Sequence, residues 1–257
     1  MKLAVVQQNH NPGRPDENRQ KAIFAADEAL RQGCDLILFH EELLTGYCMS
    51  AREMAETADG KTTQLFQQLL KGTQSCIIYG LTERDGDNYY ISAPVVMKDG
   101  LVALYRKTHL YGNKSGLRNE KNFFTPGNHF VMFSHLGVKI GLLICYDGDF
   151  FESVEYYRKK DCQLVLWMNN RESRGPEDLV RDHAVRNSMI MAVSCCCGTD
   201  ELGISCPGGS CIVNQHGMVL GEIWNREGIL FAEIDPSGIE IERKKNPWIN
   251  DRRGDLY

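Results

Sequence analysis

Apolar and polar positions follow two rhythms along this chain, and the changes between them mark out the elements. Residues 3–7 read as a strand. Ile23, Ala26 and Leu30 recur at helical spacing, and Gly33 follows as a stop. The continuous apolar run 36–39 predicts a strand covered on both faces. A second helix is expected from about residue 62, with Leu65, Phe66, Leu69 and Leu70 on one face, ending near Gly72; residues 76–79 are the next strand. Segments 89–97 and 101–106 are strand-like and meet at Asp99-Gly100, a strong hairpin signal. Val138, Ile140, Leu142 and Ile144 alternate as a strand that ends at Cys145. Helix (about 150–160), strand (164–168), helix (177–189) and strand (190–195) follow. A second hairpin turns at His216-Gly217 between 211–213 and 218–220. No linker, repeat or low-complexity stretch interrupts the pattern, which predicts one mixed α/β domain over residues 1–257.

Composition narrows the partners. A chain of 257 residues, 42% hydrophobic, can bury a sizeable core. The net charge is −5 and no Lys/Arg-rich block stands out, which argues against a nucleic-acid backbone or an anionic membrane as partner. The apolar run 3–6 is too short for a signal-peptide core, and no segment approaches the ~20 apolar residues of a membrane span. The expectation is a soluble, cytoplasmic protein. None of the ten cysteines forms a CxxC pair with a second CxxC downstream, so buried free thiols are expected rather than a metal site.

Three segments share one design: an apolar strand that stops at a reactive polar residue. LILFHEELLTGY stops at Glu41-Glu42, LVALYRKTHLY at Lys107, and KIGLLICYDGDF at Cys145. Strand ends can converge on a crevice at the edge of a sheet. A carboxylate, an ammonium and a thiol in one crevice suit acyl transfer. The carboxylate takes the thiol proton, and the ammonium stabilises the thiolate and then the oxyanion. The backbone N–H of Tyr146, at a predicted helix start, is a second candidate oxyanion donor.

At these residues the chain resembles the carbon–nitrogen hydrolase (nitrilase-like) superfamily. FHEELLTGY is similar to the family's PE-x-x-x-TGY segment, and the spacing to Thr45-Gly46-Tyr47 selects Glu41 over Glu42 as general base. YRKTHLY is similar to its lysine motif and ICYDGDFFE to its nucleophile segment, which gives Lys107 and Cys145. EKNFFTPG, from Glu120 to Gly127, is similar to E-x-x-x-F-x-x-G, whose glutamate is a second carboxylate at the site. GGSCIVNQHGMVL resembles the family's late hairpin and NPWINDRRGDLY its C-terminal tail. The resemblance implies a four-layer αββα sandwich, a homodimer or higher homo-oligomer built through helices, and no cofactor. It implies an amide or N-carbamoyl amine as small-molecule substrate, hydrolysed through a thioester on Cys145.

Departures from the family pattern are His40 for proline, Phe151 for proline, Glu155 where arginine is common and Arg186 where glutamate is common. The last two reverse both signs, which suggests that they face each other within the subunit or across a dimer contact. The loop 169–178 matches no subfamily and is expected to wall the pocket. Its Asn170, Arg171 and Arg174, with Tyr47, Tyr146 and Asp149, are the candidate substrate contacts: the arginines for a carboxylate, Asp149 for a cation. His109 is expected to orient the lysine loop and His183 to lie on a helix face. The same trio would serve a nitrilase, although CYDG is closer to aliphatic amidases than to the CWE of nitrilases. A glutaminase domain would need a synthetase partner, and a non-catalytic scaffold would have no physical need of Glu41, Lys107, Glu120 and Cys145 together.

Overall fold

The strand runs read from the sequence sort into two sheets. A computed structural model of the chain describes residues 1–9, 11–47, 50–112, 119–171, 177–245, 247–249, 251–253 and 255–256. β1 (Lys2–Gln7), β2 (Leu36–Leu38) and β3 (Cys76–Ile78) are parallel neighbours joined through α1 (Pro15–Arg31) and α2 (Lys61–Leu69). β4 (Leu81–Asp85), β5 (Asn88–Met97) and β6 (Gly100–Arg106) extend this first sheet as an antiparallel meander. β5 does double duty: residues 88–92 pair with β4, while Val95 and Val96 pair with β3.

The second sheet repeats the plan. β7 (Met132–His135) and β8 (Val138–Ile144) form a hairpin, and α3 (Phe151–Lys159) carries the chain to β9 (Leu164–Asn169), parallel to β8. α4 (Glu177–Asn187) leads to β10 (Ile190–Cys195), parallel to β9. β11 (Cys197–Thr199), β12 (Ser205–Val213) and β13 (Val219–Trp224) complete the sheet. The chain then crosses back: β14 (Gly228–Glu233) pairs antiparallel with β1, Lys2 opposite Glu233, and α5 (Ile239–Lys245) follows.

The four layers follow from which faces are apolar. β2, β3, β9 and β10 are buried on both faces, as parallel strands covered on each side must be. One face of each sheet meets the other sheet, where Leu3, Leu36, Leu38 and Ile78 pack with Ile140, Leu142, Leu164 and Ile190. The outer face of the first sheet takes α1 and α2 through Ala22, Ala26, Phe66 and Phe39. That of the second takes α3 and α4 through Val154, Tyr157, Val180 and Ala184. The fold is the αββα sandwich.

Two elements differ in detail from expectation. The buried stripe of α1 is Asn18, Arg19, Ala22, Ala25, Ala26 and Ala29, with Ile23 and Leu30 at its margins. Small side chains let this helix lie close to the sheet. Glu155 and Arg186 do not pair within the subunit. Glu155 bonds Arg252 and Lys159, the latter at 2.7 Å, whereas Arg186 lies 4.0 Å from Asp182 and over the Phe151 ring. Arg186 follows Asp182 by one helical turn, so its nearest acid is on its own helix.

Candidate active site

Glu41 stands just beyond β2, where the chain must turn sharply against the loop after β3. Gly80 makes the turn possible: a Cβ there would lie 2.4 Å from the His40 carbonyl oxygen and 2.6 Å from Glu41 Cα. Its N–H donates to that same carbonyl at 3.1 Å. Lys107 follows β6 directly and is pinned by its backbone, its N–H to the Ile91 carbonyl at 2.8 Å and its own carbonyl to the Gly127 N–H at 2.8 Å. A side chain at 127 would collide with the Arg106 carbonyl at 2.1 Å, which explains the glycine that closes the Glu120 segment.

These two strand ends, with Glu120, meet in one ion cluster. The Lys107 Nζ donates to Glu41 Oε1 and to Glu120 Oε1, each at 2.8 Å, and the three side chains are at most 2% exposed. The second oxygen of Glu120 accepts the Tyr111 N–H at 2.8 Å. Burial works against the Lys107 ammonium, but Glu120 and Glu41 outweigh it and hold it well above the ordinary lysine range. Burial, opposed by Lys107, pushes the Glu120 carboxyl up to about 7. Glu42 is a third buried carboxyl. Its Oε1 accepts from Thr82 at 3.2 Å and its Oε2 has no partner. Burial, then Glu41 and Glu120, raise it well above the glutamate range.

Cys145 follows β8 from the facing sheet and opens a 3₁₀ turn, Cys145–Asp149. Its φ of +46° is a strained value for a residue with a side chain, of the kind that persists where the surroundings over-determine it. Its thiol is pushed up to about 12, by burial first and then by Glu41, with Lys107 and Arg171 opposing. At neutral pH it is therefore a thiol, and attack requires a base to take its proton as the bond forms. The strand-end logic thus brings Glu41, Lys107, Glu120 and Cys145 into one place.

The turn is tied to the lysine loop by a residue that the sequence did not single out. Asp147 is fully buried and accepts from Tyr105 Oη at 2.7 Å, Thr108 Oγ1 at 2.9 Å, the His109 N–H at 2.8 Å and the Ile144 N–H at 3.1 Å. His109 Nδ1 lies 2.9 Å from the same carboxylate, an orienting role for this histidine. His183, on α4, lies with Nε2 2.8 Å from the Gly148 carbonyl oxygen beneath the turn.

The candidate substrate contacts are placed as follows. Tyr47 lies beside the cluster, its hydroxyl raised by burial and then by Glu120 and Glu42. Tyr146 packs edge-on against Tyr111 and Phe150, and His109 stacks on Phe150, so an aromatic wall borders Cys145. Asn170 is 5% exposed, and its Oδ1 accepts from the thiols of Cys196 at 3.0 Å and Cys206 at 3.4 Å. Arg171 bonds Asp149 Oδ1, Asn169 Oδ1 and the Cys145 carbonyl oxygen, each at 2.8 Å. Arg174 and the rest of the loop through residue 176 fall outside the described residues. The nine described cysteines are free thiols, and no His, Cys, Asp and Glu group fit to hold a metal occurs among the described residues. Among those residues no helix is long and apolar enough to cross a membrane.

The chain is similar to known proteins over nearly its whole length. The profile of the carbon-nitrogen hydrolase family matches residues 2–243. Omega-amidase NIT2 of Danio rerio is 30% identical over 269 residues, covering 100% of this chain and 96% of that protein. A nitrilase of Pyrococcus abyssi is 31% identical over 264 residues, 98% and 94% of the two chains. A glutamate-to-glutamine variant of the amidase from Nesterenkonia sp. AN1 superposes with a TM-score of 0.79 at 25% identity, over 98% of this chain and 100% of the other. Its active-site cysteine has added acrylamide in a Michael reaction.

Proposed function

Because the chain belongs to the carbon–nitrogen hydrolase family, we propose that it hydrolyses a small linear amide or N-carbamoyl amine through a thioester on Cys145. The observation that carries this reading is the buried Glu41–Lys107–Glu120 cluster at the end of one sheet, near enough to the Cys145 thiol at the end of the other for its charges to act on it. Glu41 takes the thiol proton as sulfur attacks the amide carbon. Lys107 and the Tyr146 N–H hold the oxyanion. Collapse expels ammonia or an amine, which leaves with the proton from Glu41. Water, deprotonated by Glu41, then attacks the thioester, and collapse releases the acid and returns the proton to sulfur. Glu120 fixes the Lys107 ammonium through one oxygen and the Tyr111 backbone through the other.

The omega-amidase relative and the amidase neighbour support the amide, and a nitrilase of similar identity keeps the nitrile as the second reading. The test is ammonia release across primary amides, N-carbamoyl amines, ω-amides of dicarboxylates and nitriles. Turnover of an amide or carbamoyl compound is expected, and turnover of nitriles alone would refute the reading. We further propose that the enzyme works in the cytoplasm as a homodimer or higher homo-oligomer. Phe151, Tyr156 and Val185, apolar side chains on the outer helices α3 and α4 left 37–50% exposed, support the assembly. Light scattering that gives a monomer at micromolar concentration would remove it.

A further inference from the structure

The Cys145 carbonyl has two side-chain donors, neither of which the reaction as written uses. It accepts the Trp167 indole N–H at 2.9 Å and the Arg171 guanidinium at 2.8 Å. The register explains how both arrive there. β8 and β9 are parallel with Ile144 opposite Met168, so Cys145 leaves its strand beside the residues that end β9. Trp167 and Asn169 are on β9, and Arg171 follows two residues on.

The guanidinium is held by several groups of the chain itself. Its Nε donates to Asn169, its Nη2 to both Asp149 and the Cys145 carbonyl, and its Cζ lies 5.1 Å from the centroid of the Trp167 ring. Its side chain is 16% exposed, and Asp149 supplies the countercharge.

A trans peptide points its C=O and N–H in opposite directions, and no peptide among the described residues is cis. Whatever fixes the Cys145 carbonyl therefore also fixes the Tyr146 N–H. We propose that Arg171, with the Trp167 indole, is a positioning residue of the oxyanion hole: it clamps the Cys145 carbonyl so that the Tyr146 N–H is aimed at the substrate oxygen. The role rests on the amide hydrolysis proposed above and is distinct from the substrate-carboxylate contact expected for Arg171. Two physical effects follow. The clamp holds the positive φ of the nucleophile, and a cationic donor on the carbonyl polarises the peptide and strengthens its N–H as a donor.

The test is Arg171→Lys, which keeps the charge and loses the planar fork. Because Arg171 acts through the backbone, its loss should fall below the ~10²–10³-fold of a direct oxyanion donor. On propionamide, kcat should drop about 10–30-fold with KM within about twofold. Propionaldehyde, which adds to the thiol and leaves an oxyanion in the hole, should bind more weakly by the same factor. Thiolation of Cys145 by methyl methanethiosulfonate, which forms no oxyanion, should change less than about threefold. The monoamide of succinic acid should lose kcat as propionamide does.

Unchanged kcat and aldehyde affinity would overturn the clamp. So would a loss confined to KM for the monoamide, which marks a carboxylate contact, or thiolation slowed as much as turnover, which marks a thiolate effect. Asp149→Asn, at a half-exposed position, is the second variant. It loosens the guanidinium, and turnover and aldehyde affinity should fall together by a smaller, common factor; a fall in only one of them contradicts the proposal. Should wild-type protein hydrolyse no amide, the proposed function fails, while aldehyde affinity still reads the clamp.

Discussion

Replacing Lys107 with methionine tests whether one ammonium holds the site together. Methionine keeps the length and apolar body of the stem and removes the charge. The wild-type ammonium is 2.8 Å from Glu41 and 2.8 Å from Glu120, with all three side chains essentially shut off from water. Its removal leaves two carboxylates facing each other beside Glu42, without a countercharge. Deleting one partner of a buried ionic pair costs ~3–5 kcal/mol, because the remaining charge is stranded. The carboxyls can escape by binding a proton, at ~1.4 kcal/mol per pH unit, so the penalty should shrink toward low pH. Urea unfolding should show the variant about 3–5 kcal/mol less stable at pH 7.5 and markedly closer to wild type at pH 5.5. Lys107→Met/Glu120→Gln should regain part of the loss at pH 7.5, since the stranded charge is halved. Ammonia release should fall about 10³-fold or more, from the lost oxyanion charge and from a Glu41 that has lost the ammonium holding it in place. A single variant within about 1 kcal/mol of wild type at pH 7.5, or a double variant no more stable than the single, would refute the stranded-charge reasoning.

Other substitutions read other parts of the site. Cys145→Ala should abolish turnover with the unfolding midpoint preserved, and substantial residual ammonia release would exclude the thiol mechanism. Glu41→Gln should cost ~10²–10⁴-fold in kcat/KM as a lost general base, whereas Glu42→Gln should cost little, and equal impairment would contradict the choice of base. Glu42 is raised by burial above its unfolded value, so wild-type protein gives up stability as pH rises beyond the ordinary glutamate range. Glu42→Gln should escape that loss and gain relative stability from pH 5 to pH 8 in paired urea titrations. Asp147→Asn turns an acceptor of several hydrogen bonds into a partial donor. Calorimetry should show a Tm lowered by several degrees, with kcat/KM down by more than about tenfold, since hydrogen bonds to a charged group are worth ~1.5–3 kcal/mol each.

The legible parts of the molecule are those with a local signal. Strands that end in Glu41, Lys107 and Cys145 could be read from sequence because an apolar run followed by a lone reactive group is visible within ten residues. β14 could not: it completes the first sheet beside β1 from the far end of the chain, and nothing within GILFAE names its partner. β4 was hidden because its last two residues, Arg84 and Asp85, are exposed at a sheet edge and break the apolar run. Asp147 was one acid among three in CYDGDFFE, and only its burial and its donors separate it from Asp149. The Arg171 contacts depend on the β8–β9 register, which no periodicity encodes. Reversed signs at Glu155 and Arg186 suggested a pair, yet within the subunit each finds a different partner.

The central claim is a covalent acyl group on Cys145, and partitioning measures it most directly. Propionamide and N-methylpropionamide carry the same acyl group and different leaving groups. Hydrolysed in the presence of hydroxylamine, both should yield propionic acid and propionohydroxamic acid in one common ratio, since both pass through the same thioester. Ratios that change with the leaving group would mean that water and hydroxylamine attack the amide itself, and the thioester account would be wrong.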